Sequence, residues 1–283
     1  MKLQVKHVVI TGATAGIGQA SAISLAKSGA RITIVARNQQ KIENTLAALK
    51  AASGRDDHRF VLADFACLAS VRRAAEEILS WDDKIDVLQN NAGLASSVYR
   101  ETADGYEELF AVNHLTGLLL PLLNEGSRII NVSAMIYASV KGINFDDLPA
   151  TKNFDPLKGY AYSKLANILF TKELAERLKP HGVTCNVLHP GAVSTTLGAE
   201  DKGWVLTIAS FLIKHFPILF KTPEQGAATS NYLSESNEVA NITGKYFVDC
   251  KQVQLKPVGE DMEAAKCLWL LSGKMASFHY PKL

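Results

Sequence analysis

Residues 8–10, Val-Val-Ile, run directly into Thr11-Gly12-Ala13-Thr14-Ala15-Gly16-Ile17-Gly18, and a helix-patterned stretch over 19–28 follows at once. This order of strand, glycine turn and helix constrains the fold more than any other feature of the chain. Gly12 permits the tight turn, Gly16 lets the main chain approach a pyrophosphate, and Gly18 lets the helix pack on the strand. The amides of Ala15, Gly16, Ile17 and Gly18, at the positive end of the helix dipole, then favour an anion. Three glycines in a turn occur in many folds. The flanking strand and helix supply the context that a phosphate site requires.

The rest of the chain repeats the alternation. Short apolar runs at 8–10, 32–35, 59–62, 87–88, 128–132 and 184–188 read as strands. Periodic stretches at 42–50, 71–79, 106–123 and 160–178 read as helices between them. Strands alternating with helices of this length predict βαβ units with right-handed crossovers. The expectation is an α/β fold: one doubly wound (Rossmann) parallel sheet, helices on both faces, as a single domain over 1–283. One stretch breaks the rhythm. Residues 204–220 are strongly apolar, but Lys214 and Pro217 make the run a poor membrane span. It reads as a substrate lid within an insertion over 196–222, as an amphipathic segment touching a membrane surface, or as a helix packed on the core.

A net charge of +2 offers nucleic acid no electrostatic footing. The cysteines, Cys67, Cys185, Cys250 and Cys267, lack metal-site spacing and read as free thiols in a reducing compartment. With no secretory h-region at the start, the expected location is cytoplasmic, with membrane association through 204–220 as its variant.

The second chemical signal is Tyr160-Ala161-Tyr162-Ser163-Lys164. Tyr160 and Lys164, four apart, share a helical face. A phenol titrates near 10, too high for proton transfer at neutral pH, and a neighbouring ammonium favours the phenolate. The pair is therefore suited to protonating an alkoxide or deprotonating an alcohol. Tyr162 has no lysine four residues on.

Together these two motifs resemble the short-chain dehydrogenase/reductase family, and the likeness runs over nearly the whole chain. Asn90-Asn91-Ala92-Gly93 looks like the segment that steadies the central sheet and borders the cofactor. Asn113 matches the catalytic asparagine that holds a relay water. Pro190-Gly191-Ala192-Val193-Ser194-Thr195 is similar to the segment that closes over the nicotinamide carboxamide. Phe110 to Leu115, Ser163 to Phe170, Thr222 to Ala227, Gly244 to Phe247 and the tail from Leu268 to Ser272 resemble the retinol-dehydrogenase-like branch. That branch reduces lipophilic carbonyls, usually with NADPH, but a substrate list does not transfer with a fold.

Two departures from the family pattern stand out. The catalytic serine is usually the second of a Ser-Ser pair, and here the pair reads Ser133-Ala134. Successive strand side chains point to opposite faces, so Ser133 takes that role only if a bulge rotates it inward. The helix after Asn113 is also short, with Ser133 only 20 residues on, which puts the family's common dimer in doubt. The end of strand two reads Ala36-Arg37 where an NAD-binding member carries an acid. An arginine grips a 2′-phosphate that a carboxylate would repel, so the expected cofactor is NADP(H). Asp64 resembles the contact to the adenine amino group, with capping of the next helix as its other role.

The reading is a hydride-transferring oxidoreductase acting on a small lipophilic carbonyl or alcohol, with Tyr160, Lys164, Asn113 and a doubtful Ser133 as its catalytic set. The alternative, motivated by Ala134 and by the shortened helix after Asn113, is a catalytically weak NADP-binding sensor or interaction module.

Overall fold

The computed structural model describes residues 7–81, 83–114, 123–147, 154–194 and 220–276. Its centre is β1 (His7–Thr11), whose five residues are all buried. Val8 and Ile10 pack on one face of the sheet and Val9 on the other, so both faces are covered and the strand reads as a continuous apolar run. β1 pairs in parallel with β2 (Arg31–Ala36) on one side and β4 (Ile85–Asn90) on the other. With β3 (Arg59–Leu62), β5 (Leu123–Val132), β6 (Thr184–His189), β7 (Tyr246–Val248) and β8 (Lys251–Val253), the order is β3-β2-β1-β4-β5-β6-β7-β8. Among these eight strands, only β8 runs antiparallel to its neighbour. The order reverses between β1 and β4, which opens the crevice beyond the carboxyl ends of these strands where such sheets bind ligands.

The face that holds Val8 and Ile10 is covered by α1 (Gly16–Lys27), α2 (Gln39–Ser53) and α6 (Pro223–Glu235), through Leu25, Ile42 and Leu233. On the opposite face lie α3 (Leu68–Ser80), α4 (Glu108–His114), α5 (Pro156–Leu178) and α7 (Met262–Met275). There Phe110, Leu165, Leu169 and Trp269 share one apolar cluster with Ile129 and Val187 of the sheet. Phe170 stacks on Trp269 with ring centres 5.2 Å apart, and Arg177 lies over the same indole.

The elements depart from the sequence expectation where distant partners intervene. α5 begins at Pro156 rather than 160, because Asp155 accepts hydrogen bonds from the amides of Leu157 and Lys158, and proline suits the first turn. The helix expected over 106–123 is described as α4 up to His114; residues 115–122 lie outside the description, and Leu123 already belongs to β5. The β7–β8 hairpin has no signature in the sequence. Its turn residues, Asp249 (φ +50°) and Cys250 (φ +60°), are both left-handed, as a two-residue type I′ turn demands, but lack the glycine that signals it.

Of the insertion expected over 196–222, only 220–222 are described, and 204–219 lie outside the described residues. Its two flanks meet: Val193 pairs with Lys221 in a parallel bridge, and the Lys221 amide donates to the Ala192 carbonyl at 2.8 Å. Among the described residues no helix is long and apolar enough to cross a membrane.

Candidate active site

The glycine turn is held from below by Thr11 and from the side by Asn91. The Thr11 hydroxyl accepts from the amides of Asn91 (3.0 Å) and Ala92 (2.9 Å). The Asn91 carboxamide donates to the carbonyls of Thr11 (3.0 Å) and Gly12 (3.3 Å). A Cβ on Gly12 would stand 2.8 Å from Ala92 Cα, and one on Gly18 would stand 2.4 Å from Asn91 Nδ2. Both glycines are thus required by close approach. The N-cap of α1 is Ala15, which has no side chain to satisfy the first-turn amides of Gly16, Ile17 and Gly18. That uncapped helix start, with Gly16 left-handed at φ +53°, is the cradle a dinucleotide pyrophosphate needs.

Asn90 to Gly93 carries the chain from this loop to the second cluster. The Asn90 carboxamide donates to Asn131 Oδ1 on β5 (2.8 Å), and Asn131 donates onward to Thr171 Oγ1 on α5 (2.8 Å). A Cβ at Gly93 would meet Asn113 Oδ1 at 2.9 Å and Lys164 Nζ at 3.4 Å, so Gly93, Asn113 and Lys164 converge. Asn113 is held at both ends of its carboxamide: its oxygen accepts from the Leu94 amide (2.8 Å), and its nitrogen donates to Leu94 O (3.2 Å) and Ser163 Oγ (3.0 Å). Ser163 in turn donates to the Tyr160 carbonyl at 2.8 Å, which ties α4 to the turn that presents Tyr160.

Lys164 Nζ lies 5.4 Å from the centre of the Tyr160 ring and donates to the Val132 carbonyl at 3.4 Å. The electrostatics differ from the sequence expectation. Burial pushes the Tyr160 phenol up to about 12 and brings the Lys164 amine down to about 8. Desolvation disfavours both charged forms, so the ammonium does not lower the phenol here.

Ser133 does not turn toward this cluster. It is 1% exposed, its hydroxyl donates to the Lys164 carbonyl at 2.8 Å, and its amide continues the ladder to Leu188 O at 2.7 Å. No register shift falls at this end of β5, so regular alternation turns the following residue, Ala134, the other way. Ala134 is followed by a 3-10 turn, Met135–Ser139.

Arg37 is exposed just beyond β2, beside the loop whose Gly12 amide donates to Val35 O at 2.9 Å. Asp64 does not cap α3. Its carboxylate accepts from the Ala66 amide at 3.0 Å in a local turn, while the Leu68 amide at the helix start donates to Asp104, 36 residues away. Pro190 is buried, and Gly191 (φ +93°) is packed against the Lys221 side chain. Val193 and Ile17 both crowd Gly226 of α6, where a Cβ would stand 2.7 Å from Val193 Cγ2 and 3.1 Å from Ile17 Cγ1. Thr195 lies outside the described residues. Sequence reasoning missed Thr11, Ser163 and Gly226; Ser163 sits inside the Tyr-Lys motif and Thr11 opens the glycine loop, so position was the only available signal.

Residues 6–205 match the model of the short chain dehydrogenase family. Retinol dehydrogenase 14 of Homo sapiens is 41% identical over 290 residues, covering 95% of this chain and 86% of that protein. Retinol dehydrogenase 13 of Homo sapiens is 40% identical over 291 residues, covering 98% and 86%. Among solved structures, an uncharacterized protein from Mycobacterium Paratuberculosis superposes with a TM-score of 0.77 at 28% identity, covering 98% of this chain and 95% of that one. A short chain dehydrogenase from Burkholderia cenocepacia J2315 in complex with NADP gives 0.68 at 26% identity, covering 87% and 97%.

Proposed function

The chain belongs to the short-chain dehydrogenase family, in its retinol-dehydrogenase-like branch, and from that premise we propose that this oxidoreductase moves a hydride between NADP(H) and a lipophilic alcohol/carbonyl pair through a Tyr160–Lys164 proton relay. The observation that carries the reading is the convergence of Gly93, Asn113 and Lys164 beside Tyr160, at the carboxyl ends of the strands that also present the uncapped α1.

A nicotinamide cofactor supplies the hydride when bound, and the protein supplies orientation and a dry site. The amides of Ala15 to Gly18 would hold the pyrophosphate, with Gly12 turning the chain beneath it. Arg37 would take the 2′-phosphate and Asp64 the adenine amino group, and Asn91, Ala92 and Gly93 would border the cofactor. Pro190, Gly191 and Val193, with Thr195 assigned from the sequence alone, would close over the nicotinamide end, and Lys164 would hold the adjacent ribose. Tyr160 gives its proton to the substrate oxygen, and Asn113 keeps the relay water in line with Lys164. The phenol, held protonated by burial, is the form that donates to a substrate oxygen. Three exposed apolar side chains support a lipophilic substrate: Met135 directly after Ala134, Leu157 three residues before Tyr160, and Val98 beyond Gly93. For the insertion over 196–222, of which only 220–222 are described, the sequence supports the role of a substrate lid, with contact to a membrane surface as its variant.

The test is NADPH binding by fluorescence, then NADPH consumption with a panel of aldehydes and ketones. Binding with turnover on apolar carbonyls is expected. Binding without turnover on any of them favours the second reading, a weak or inactive NADP-binding module, which Ala134 and the inward hydrogen bond of Ser133 motivate.

A further inference from the structure

Three buried polar groups beside this site have no part in the relay: His114 at the end of α4, Asn167 on α5 and Ser272 on α7. His114 Nδ1 lies 3.3 Å from Asn167 Oδ1, and its Nε2 lies 2.8 Å from Ser272 Oγ. Asn167 Nδ2 donates to the Val132 carbonyl at 3.0 Å, the same carbonyl that Lys164 Nζ reaches at 3.4 Å.

These contacts determine the proton positions. The Asn167 nitrogen is identified by the carbonyl that it serves, so its oxygen faces the imidazole and requires a donor there. Nδ1 therefore carries the proton. The Ser272 hydroxyl can donate or accept, and burial, which disfavours the charged ring, assigns Nε2 as its acceptor. The surroundings agree: the Phe110 and Phe170 rings lie 5.0 and 5.2 Å away, and burial brings the imidazole down to about 4. Toward His114, α5 presents Asn167 and Phe170 and α7 presents Ser272; among the described residues no charged group acts on its titration, and Lys164, three residues before Asn167, is the nearest ionisable group along α5.

We propose that His114 and Asn167 are positioning residues for Lys164: they keep the Val132 carbonyl in a short amide bond, so that the lysine amine stays on the Tyr160 side. The inference rests on the relay reading above. A buried carbonyl left without its amide partner carries a desolvation penalty, and the mobile donor next to it is Lys164. Freed from His114, the Asn167 carboxamide loses its orientation, and the amine closes onto Val132 and leaves the ring. Misplacing a positioning group by about 1 Å costs up to about 10²-fold in rate.

The experiment compares His114→Phe, which suits the aromatic surroundings but removes both polar contacts, with His114→Gln, which keeps a donor and an acceptor. His114→Phe is expected to lower kcat about tenfold, with carbonyl KM changed less than about twofold, and to weaken NADPH binding several-fold by fluorescence. His114→Gln should restore most of both. Nitrogen-15 NMR of the parent should show the Nδ1–H tautomer, with no titration from pH 5.5 to 8. Unchanged kcat and NADPH affinity in a folded His114→Phe would overturn the proposal, as would an Nε2–H tautomer. Retained turnover in Tyr160→Phe would instead sink the relay reading, while the tautomer would still judge the His114–Asn167 pair.

Discussion

The two halves of the proposed site are built from different materials. Around α1 the working groups are backbone amides, and the side chains there, Thr11 and Asn91, only brace the turn. Around α5 the working groups are side chains, and the backbone carbonyls of Val132, Tyr160 and Lys164 brace them. A backbone site is specified by where a Cβ is forbidden. A side-chain site is specified by what its groups give up in water, and that depends on everything packed around them.

The largest test of this contrast is on the side-chain half. Tyr160→Phe keeps the ring and removes the proton donor, so turnover should fall about 10²–10⁴-fold with NADPH affinity nearly intact, as steady-state rates and a fluorescence titration will show. Tyr162→Phe, whose ring packs on the apolar cluster, should be mild. Comparable losses in both would erase the distinction between the two tyrosines.

Next in size is Ala134→Ser. If Ala134 occupies the substrate-facing position, the new hydroxyl adds a donor to the developing oxyanion, where such groups reach about 10²–10³-fold in kcat. An unchanged kcat would remove a serine from the mechanism. On the backbone half, Gly18→Ala forces a methyl onto Asn91 Nδ2 and the Gly12 carbonyl, 2.4 and 2.6 Å away. Overpacking of this kind costs about 1–3 kcal/mol, and we expect it as weaker NADPH binding with kcat at saturation little altered. Arg37→Asp should reverse a preference for NADPH over NADH of about tenfold, read from the two dissociation constants.

The remaining effects concern stability. The Lys164 pKa is lower folded, about 8, than in an open chain near 10.5. The unfolded state thus binds more protons between these values. The burial cost, full below pH 8, is relieved as pH rises toward 10, by about 1.4 kcal/mol for each pH unit crossed. Tyr160, raised in the folded state, turns the slope downward above pH 10. Lys164→Met should flatten the rise in urea-unfolding free energy between pH 8 and 10. Ser133→Ala should cost about 1 kcal/mol, by leaving the Lys164 carbonyl without its donor, and leave kcat nearly unchanged.

The glycine turn, the positions of the strands up to β6 and the shared face of Tyr160 and Lys164 were legible in the chain, because each follows from steric and periodic rules acting over a few neighbouring residues. The same locality exposed Ala134 in place of a serine. Packing decided the rest. Asp104 rather than Asp64 serves the start of α3, and the left-handed pair Asp249–Cys250 turns the last hairpin, its Cys250 amide donating to Thr229 on α6. Ser133 is engaged by α5, and Lys164 and Tyr160 move away from ionisation rather than toward it. For Tyr160 and Lys164 the cause is desolvation: the groups packed around them come from elements far apart in sequence, and no local pattern encodes their meeting.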